Sequence, residues 1–322
     1  MTELVAVDVG GTHARFAIAV VAGGRVVSLG EPVTLKTGEH ASLQLAWNAF
    51  GERIGRALPN AAAIALAGPV KGEVLKLTNN PWMISASLIR HELGVGELIF
   101  VNDFGAVAHA VAHLAPEHFS HVCGSRDKLP DEGAVTIIGP GTGLGVAQLI
   151  RSRDGYRVVE TEGGHLDFAP LDGFEDQLLT KLRARYRRVS VERLASGPGL
   201  SNIHEAIAQL ESRANTYPDE AALWAAAMSR DDPLAAAALD RFCLILGAVA
   251  GDIALAQGAG AVVIAGGLGL RLARHLPASG FRDRFIAKGR FERMMADMPV
   301  KLITHPQPGL FGAAAAFANR PA

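Results

Sequence analysis

Twice in this chain a short apolar strand runs into a turn of glycine and threonine and returns as a second strand, first over residues 8–15 and again over 139–146. Such a turn carries few side chains, so consecutive backbone N–H groups can converge on one acceptor and form a small anion cradle suited to phosphate. Gly10, Gly11 and Thr12 in the first turn, and Gly141, Thr142 and Gly143 in the second, are therefore candidate phosphate contacts. Asp8 closes the strand before the first turn, where a carboxylate can hold Mg²⁺ or its waters against phosphate oxygens. Either turn alone reads equally as an ordinary β-turn. The pair, with an acid ahead of the first, points to a nucleotide. Neither is a Walker A loop, and no GxGxxG stands in a βαβ context.

The surroundings of the turns predict the fold class. Strands are expected over 4–7, 14–21, 25–29, 64–67, 73–77, 98–101, 134–138, 146–150 and 300–304. Helices are expected from an N-cap at Ser42 to about Leu58, then over 174–187, 191–194, 200–210, 220–228, 233–256 and 310–318. This alternation indicates an α/β protein with helices on the sheet faces. A length of 322 residues suggests two domains. With 49% apolar and 20% charged residues the chain buries a large core, and its net charge of −1 gives no electrostatic case for nucleic acid or an anionic membrane. Cys123 and Cys243 stand far apart without a metal or redox motif, and no secretory signal precedes the first strand at Leu4, so the expected compartment is the cytoplasm. The uncharged run 253–270 holds five glycines and reads as a helix end, a buried strand at 261–265 and a turn, not a membrane span.

Other residues carry chemistry. Asp103, at the carboxyl end of the buried strand before it, sits where α/β sheets place ligands and could take the proton of an attacking alcohol. Asn102 offers a donor and an acceptor that suit a hydroxyl, although the Asn102-Asp103 segment reads equally as a helix N-cap for a segment starting at Gly105. Glu162 and His165 flank two glycines, and Glu192 opens a helical turn after Ser190. Asn102, Asp103, Glu162, His165 and Glu192 make a sugar-binding set if the fold gathers them. His109 and His113 have metal-ligand spacing but no acid between them, and read as a solvated helix face. The basic residues Lys181, Arg183, Arg185, Arg187 and Arg188 read as a solvated helix end.

Together these motifs resemble the bacterial glucokinase family. The resemblance is carried by Asp-Val-Gly-Gly-Thr-His-Ala-Arg at 8–15, Thr-Asn-Asn-Pro-Trp at 78–82, Val-Asn-Asp-Phe at 101–104 and Gly-Pro-Gly-Thr-Gly-Leu-Gly-Val-Ala at 139–147. It continues in Glu-Gly-Gly-His-Leu-Asp-Phe-Ala-Pro at 162–170, Ser-Val-Glu-Arg-Leu-Ala-Ser-Gly-Pro-Gly at 190–199 and Ala-Gly-Gly-Leu at 265–268. It implies a two-domain actin-like ATPase (ribonuclease H-like) fold with a cleft between a small domain, 1–112 plus 306–322, and a large domain, 113–305. It further implies ATP and Mg²⁺, glucose as substrate, Asp103 as general base, and Asn102, Glu162, His165 and Glu192 on the sugar hydroxyls. Gly266 and Gly267 would lie near adenosine, and the assembly would be a homodimer. His13 replaces the family's usual Asn in the first turn, and the zinc cluster of the repressor/ORF/kinase sugar kinases is absent. The expected reaction is phosphorylation of glucose at its 6-hydroxyl. The alternatives are a kinase for another hexose or amino sugar, an actin-like ATPase that takes no sugar, and a sugar-responsive regulator, for whose DNA-binding helices a strand starting at Leu4 leaves no room.

Overall fold

The two apolar runs of the first 22 positions form a hairpin, β1 (Thr2–Val9) and β2 (His13–Ala22), in the computed structural model. The structure describes residues 1–68, 70, 72–77, 80–214 and 217–320. Pro69 of the turn after the strand at 64–67, and Thr78 and Asn79 of the motif at 78–82, lie outside the described residues. β3 (Arg25–Leu29) and β4 (Val33–Lys36) both pair with β2. Ser42 caps α1 (Leu43–Ile54) by accepting the Leu45 N–H, and Gly55, at φ 68°, ends that helix short of the expected Leu58. The buried β5 (Ala61–Leu66) lies parallel to β1. A ribbon of β6 (Val74–Lys76) and β7 (Met83–Ser85) and the one-turn α2 (Ile89–Glu92) then lead to β8 (Glu97–Asn102), parallel to β5. α3 (Asp103–His113) begins at the next residue.

The remaining elements are β9 (Phe119–Cys123), β10 (Gly133–Pro140), β11 (Leu144–Ser152), β12 (Gly155–Thr161), α4 (Gly173–Arg185), α5 (Gly197–Leu210), α6 (Glu220–Ser229) and α7 (Pro233–Ala256). After them come β13 (Ala259–Ile264), α8 (Gly266–Arg271), α9 (Phe281–Ile286), α10 (Glu292–Asp297), β14 (Val300–Ile303) and α11 (Pro308–Ala318). One sheet has the order β3-β2-β1-β5-β8 with β4 also on β2, and the other β12-β11-β10-β13-β14-β9. In both, a glycine-turn hairpin is flanked on one side by the next strand and on the other by two parallel strands. The faint repeat of two glycine–threonine turns is thus a repeat of sheet topology.

Contacts divide the chain into two units, Met1–Ala115 with Val158–Glu160 and His305–Ala322, and Pro116–Arg157 with Thr161–Thr304. In the first, Phe16 stacks on Phe50 at 5.2 Å in a core that also buries Trp47 and Trp82. The other core of this unit is built from alanines of β2 and β5 with Leu310, Ala313, Ala314 and Phe317 of α11. These small residues let helices come close. A Cβ on Gly312 of α11 would stand 1.8 Å from the Ala106 carbonyl oxygen of α3, so only glycine permits this approach.

The second unit is organised around α7, the one helix among the described residues long and apolar enough to cross a membrane. Of its most apolar window, 72% is buried inside the fold, against α5, α6, α9 and β13. The run 253–270 resolves into the end of α7 and the buried β13, as expected, and the glycines that read as a turn instead open the short helix α8.

Candidate functional site

Parallel pairing gathers the first group of residues at one sheet edge. Asp8 is in register with Ala65, and Ala65 with Val101. At about 4.8 Å per strand, the Asp8 carboxylate and the β8–α3 corner share that edge about 10 Å apart. Asp8 meets Arg15 across the hairpin at 3.4 Å. On its other side a Cβ on Gly309, in the first turn of α11, would stand 2.7 Å from the Asp8 carboxylate. The turn itself closes with the Gly10 N–H on the His13 carbonyl at 2.9 Å. Its other carbonyls are engaged as well: Gly10 by the Asn80 amide at 3.0 Å, Gly11 by the Thr37 hydroxyl at 2.8 Å, and Thr12 by the Thr37 N–H at 3.0 Å. A turn whose acceptors are consumed in this way presents donors, and the exposed Thr12 adds its hydroxyl.

Burial pushes the Asp8 carboxyl above its ordinary 3.8, with Arg15 opposing the rise. A raised acid takes up its proton on folding, so its contribution to stability is fullest below pH 3.8 and declines as the pH climbs through the folded value. At neutral pH the burial of Asp8 therefore costs stability. Asp8→Asn is expected to melt above the native chain at neutral pH, with the difference vanishing in acid. Melting curves over pH 3 to 8 check this, and a lower melting temperature for the variant at neutral pH would refute it.

At the far end of the same edge Asn102 caps α3. Its Oδ1 accepts the N–H groups of Phe104 at 2.9 Å and Gly105 at 3.1 Å, and its Nδ2 donates to the Gly68 carbonyl at 3.2 Å. The capping and hydroxyl-binding readings of Asn102 are thus compatible only through its second amide hydrogen. Asp103 occupies the first helical position, half-buried, with Oδ1 accepting from the Phe104 N–H at 2.9 Å. Glu160 completes the corner by accepting the Asn102 N–H at 2.9 Å.

The second unit gathers the other group. Gly139 pairs with Gly145 and Pro140 with Leu144 around the Gly141, Thr142, Gly143 turn. The Gly197 N–H, at the start of α5, donates to the Gly141 carbonyl at 2.7 Å. Glu192 accepts the Leu144 N–H at 2.9 Å, and a Cβ on Gly143 would stand 2.5 Å from the same carboxylate oxygen. The Leu144 carbonyl in turn lies against Gly164, where a Cβ would come within 2.1 Å. Segments 165–168 and 188–191 run side by side through Val191 N–H to Leu166 at 2.8 Å and Phe168 N–H to Val189 at 3.0 Å. Leu144 therefore joins the phosphate-type turn, the Glu162–His165 turn and Glu192 into one cluster. Gly266 adopts φ 80° with its Cβ position 2.7 Å from the Pro140 carbonyl oxygen, which seats Gly266 and Gly267 beside that hairpin at the ends of β10 and β13. So Asp8, Gly10, Gly11, Thr12, Asn102 and Asp103 lie on one edge of the first unit. Gly141, Thr142, Gly143, Glu162, His165, Glu192, Gly266 and Gly267 lie together in the second.

Some features differ from expectation. His109 and His113 are half-buried rather than solvated, and burial, with His113 adding to it, pushes His109 down to about 4. Among the described residues no group of three or more potential metal ligands forms. The basic run is an exposed helix end, as expected, and two of its members are paired there: Arg185 makes a bidentate pair with Glu205 at 2.8 Å and Arg188 binds Asp167 at 2.6 Å. Glu160, Gly309 and Gly312 had no local motif to mark them; only their distant partners give them meaning.

A glucokinase family model matches residues 4–320. The chain is 63% identical to the glucokinase of Zymomonas mobilis over 318 residues, covering 99% of this chain and 98% of that one. Among solved structures, a glucokinase from an Antarctic psychrotroph superposes with a TM-score of 0.86 at 32% identity, covering 99% of this chain and 100% of the other. A Streptomyces griseus ROK family glucokinase, solved in complex with glucose and AMPPNP, shares the fold at 19% identity and a TM-score of 0.61, with 98% of each chain covered. The paired glycine-turn hairpins, the acid-bearing strand edges and these similarities have one conclusion: the chain belongs to the glucokinase family.

Proposed function

We propose that this chain transfers the γ-phosphoryl group of ATP to the 6-hydroxyl of glucose, yielding glucose 6-phosphate and ADP. The observation that carries the reading is the shared strand edge of Asp8, the donor-presenting turn and Asp103. On this reading a proton acceptor and a cradle for anions would share one sheet edge. Asp103 would accept the 6-hydroxyl proton as that oxygen attacks phosphorus. Asn102, through its remaining amide hydrogen, and Glu162, His165 and Glu192 would hold the other hydroxyls. With Oε2 of Glu192 committed to Leu144, Oε1 is the oxygen left to accept from sugar. Backbone N–H groups of the two turns, with Thr12 and Thr142, would take the phosphates, and Gly266 and Gly267 would flank adenosine.

The donor set also fits Mg²⁺. Asp8 is a hard oxygen donor held at the mouth of a turn whose carbonyls are otherwise engaged, and would hold the ion through water. When bound with the nucleotide, the ion would neutralise phosphate charge. We further assign the actin-like ATPase arrangement, with a small domain (1–112 plus 306–322), a large domain (113–305) and substrates bound in the cleft between them. A cytoplasmic homodimer is supported by family membership alone.

Purified protein offered a panel of hexoses and amino sugars, with ADP release as the readout, tests the function. Glucose is expected to give the highest kcat/KM. A higher value for mannose or an amino sugar would reassign the substrate, and sugar-independent ATP hydrolysis would remove the kinase reading.

A further inference from the structure

We propose that Glu160 is a positioning residue for the reaction, completing from a distant strand the capping box that α3 cannot complete for itself. The inference rests on the reading of Asp103 as base. In a capping box, the third helical residue is Glu or Gln, and its side chain reaches back to the N–H of the N-cap residue. In α3 the N-cap is Asn102, which meets its half of the arrangement by accepting the Phe104 and Gly105 N–H groups. The third helical residue is Gly105, which has no side chain to return the bond.

Glu160 occupies that place. Its Oε1 accepts the Asn102 N–H at 2.9 Å. The same oxygen lies 2.6 Å, and the Glu160 Cγ 2.9 Å, from where a Cβ on Gly105 would stand. The missing side chain of residue 105 and the carboxylate of residue 160 are thus two halves of one fit. Glycine at 105 leaves the space that the capping acid, arriving from outside the helix, fills. Between the two positions that Glu160 touches lie Asp103 and Phe104, and Asp103 opens α3. A carboxylate that fixes the N–H before Asp103 and crowds the position two after it restrains the backbone on both sides of the base.

The corner is partly open to solvent. Water can therefore satisfy the Asn102 N–H when the carboxylate is removed, and what is lost is the restraint rather than the bond itself. Misplacement of a reacting group by about 1 Å can cost about a hundredfold. With water as a partial substitute, Glu160→Ala is expected to lower kcat about tenfold with the KM for glucose and ATP nearly unchanged. Glu160→Gln keeps an oxygen acceptor at the same reach and is expected to retain kcat to within about threefold.

The decisive measurement places both changes in an Asp103→Asn background. If Glu160 acts through the base, Glu160→Ala has no further effect on kcat once Asp103 is gone. A purely structural role would lower the melting temperature and turnover in both backgrounds alike. Full kcat in Glu160→Ala, equal loss in Glu160→Gln, or additive loss in the double variant would each overturn the proposal. Failure of the underlying reading is seen separately, as near-native turnover in Asp103→Asn alone.

Discussion

Asp103→Asn is expected to lower kcat by about 10²- to 10⁴-fold, the range general bases contribute, while glucose still binds. The substitution keeps the size of the side chain and an oxygen where Oδ1 accepts the Phe104 N–H at 2.9 Å, so the corner should stand. What disappears is the lone pair able to take a proton. An acid at the first helical position also gains roughly 0.3–1 kcal/mol from the helix dipole, so a modest fall in melting temperature accompanies the change. That loss is far too small to account for the expected loss of turnover, which separates chemistry from folding. Calorimetric titration with glucose alongside steady-state kinetics checks both halves. Near-native turnover would remove Asp103 from the base role, and loss of glucose affinity equal to the loss in turnover would make it a binding residue instead.

Local chemistry explains which parts were legible in the sequence. The glycine–threonine turns, the Ser42 cap, the apolar strand ending at Asn102 and the α7 span all follow from residues close together in the chain, and the structure places them where the pattern does, although that strand is a half-buried sheet edge and not the buried strand expected. Short apolar strands such as β9 and the edge strand β12 give no clear period, and their pairing depends on partners far away. α5 begins at Gly197, earlier than expected, because the Gly197 N–H and carbonyl are both taken by distant groups, the Gly141 carbonyl and the Trp224 indole. The site shows the same division. Asp8, Asp103, Glu162 and His165 are polar residues within two positions of a glycine and announce themselves, as does Glu192, which opens a helical turn after Ser190. Leu144, whose N–H and carbonyl tie Glu192 to the Glu162–His165 turn, is an ordinary apolar residue in sequence.

The glycines divide similarly. Gly10, Gly11, Gly141 and Gly143 lie in turns that local sequence identifies. Gly105, Gly309 and Gly312 are glycine because something arrives from elsewhere: the Glu160 carboxylate, the Asp8 carboxylate and the α3 backbone. An excess of glycine therefore marks two different things in this fold, turns that present backbone donors and surfaces where acids or helices approach a bare backbone. Only the first kind is readable from a stretch of sequence.

Gly312→Ala tests the second kind, and two effects of opposite sign compete there. In an exposed helix interior, alanine for glycine gains about 1 kcal/mol from backbone entropy. At Gly312 the added carbon would stand 1.8 Å from the Ala106 carbonyl oxygen and 2.4 Å from its carbon, both backbone atoms that no rotamer change can move. Ordinary contact needs about 3.5 Å, so α11 and α3 must part by well over 1 Å, against a packed layer that includes Leu310, Ala313 and Phe317. Overpacking of this kind costs about 1–3 kcal/mol or more, which exceeds the propensity gain. The variant is expected to melt on the order of 5 °C below the native chain. Because α3 carries Asp103 at its start, kcat should fall further than the stability loss explains, by on the order of a hundredfold. Gly173→Ala is the control. It too replaces glycine in a helix, at the first residue of α4, but with nothing within 4 Å of the added carbon, so its melting temperature should hold or rise slightly. If Gly312→Ala behaves like that control, helix propensity governs the position, and the close approach of α11 to α3 is not what holds Asp103 in place.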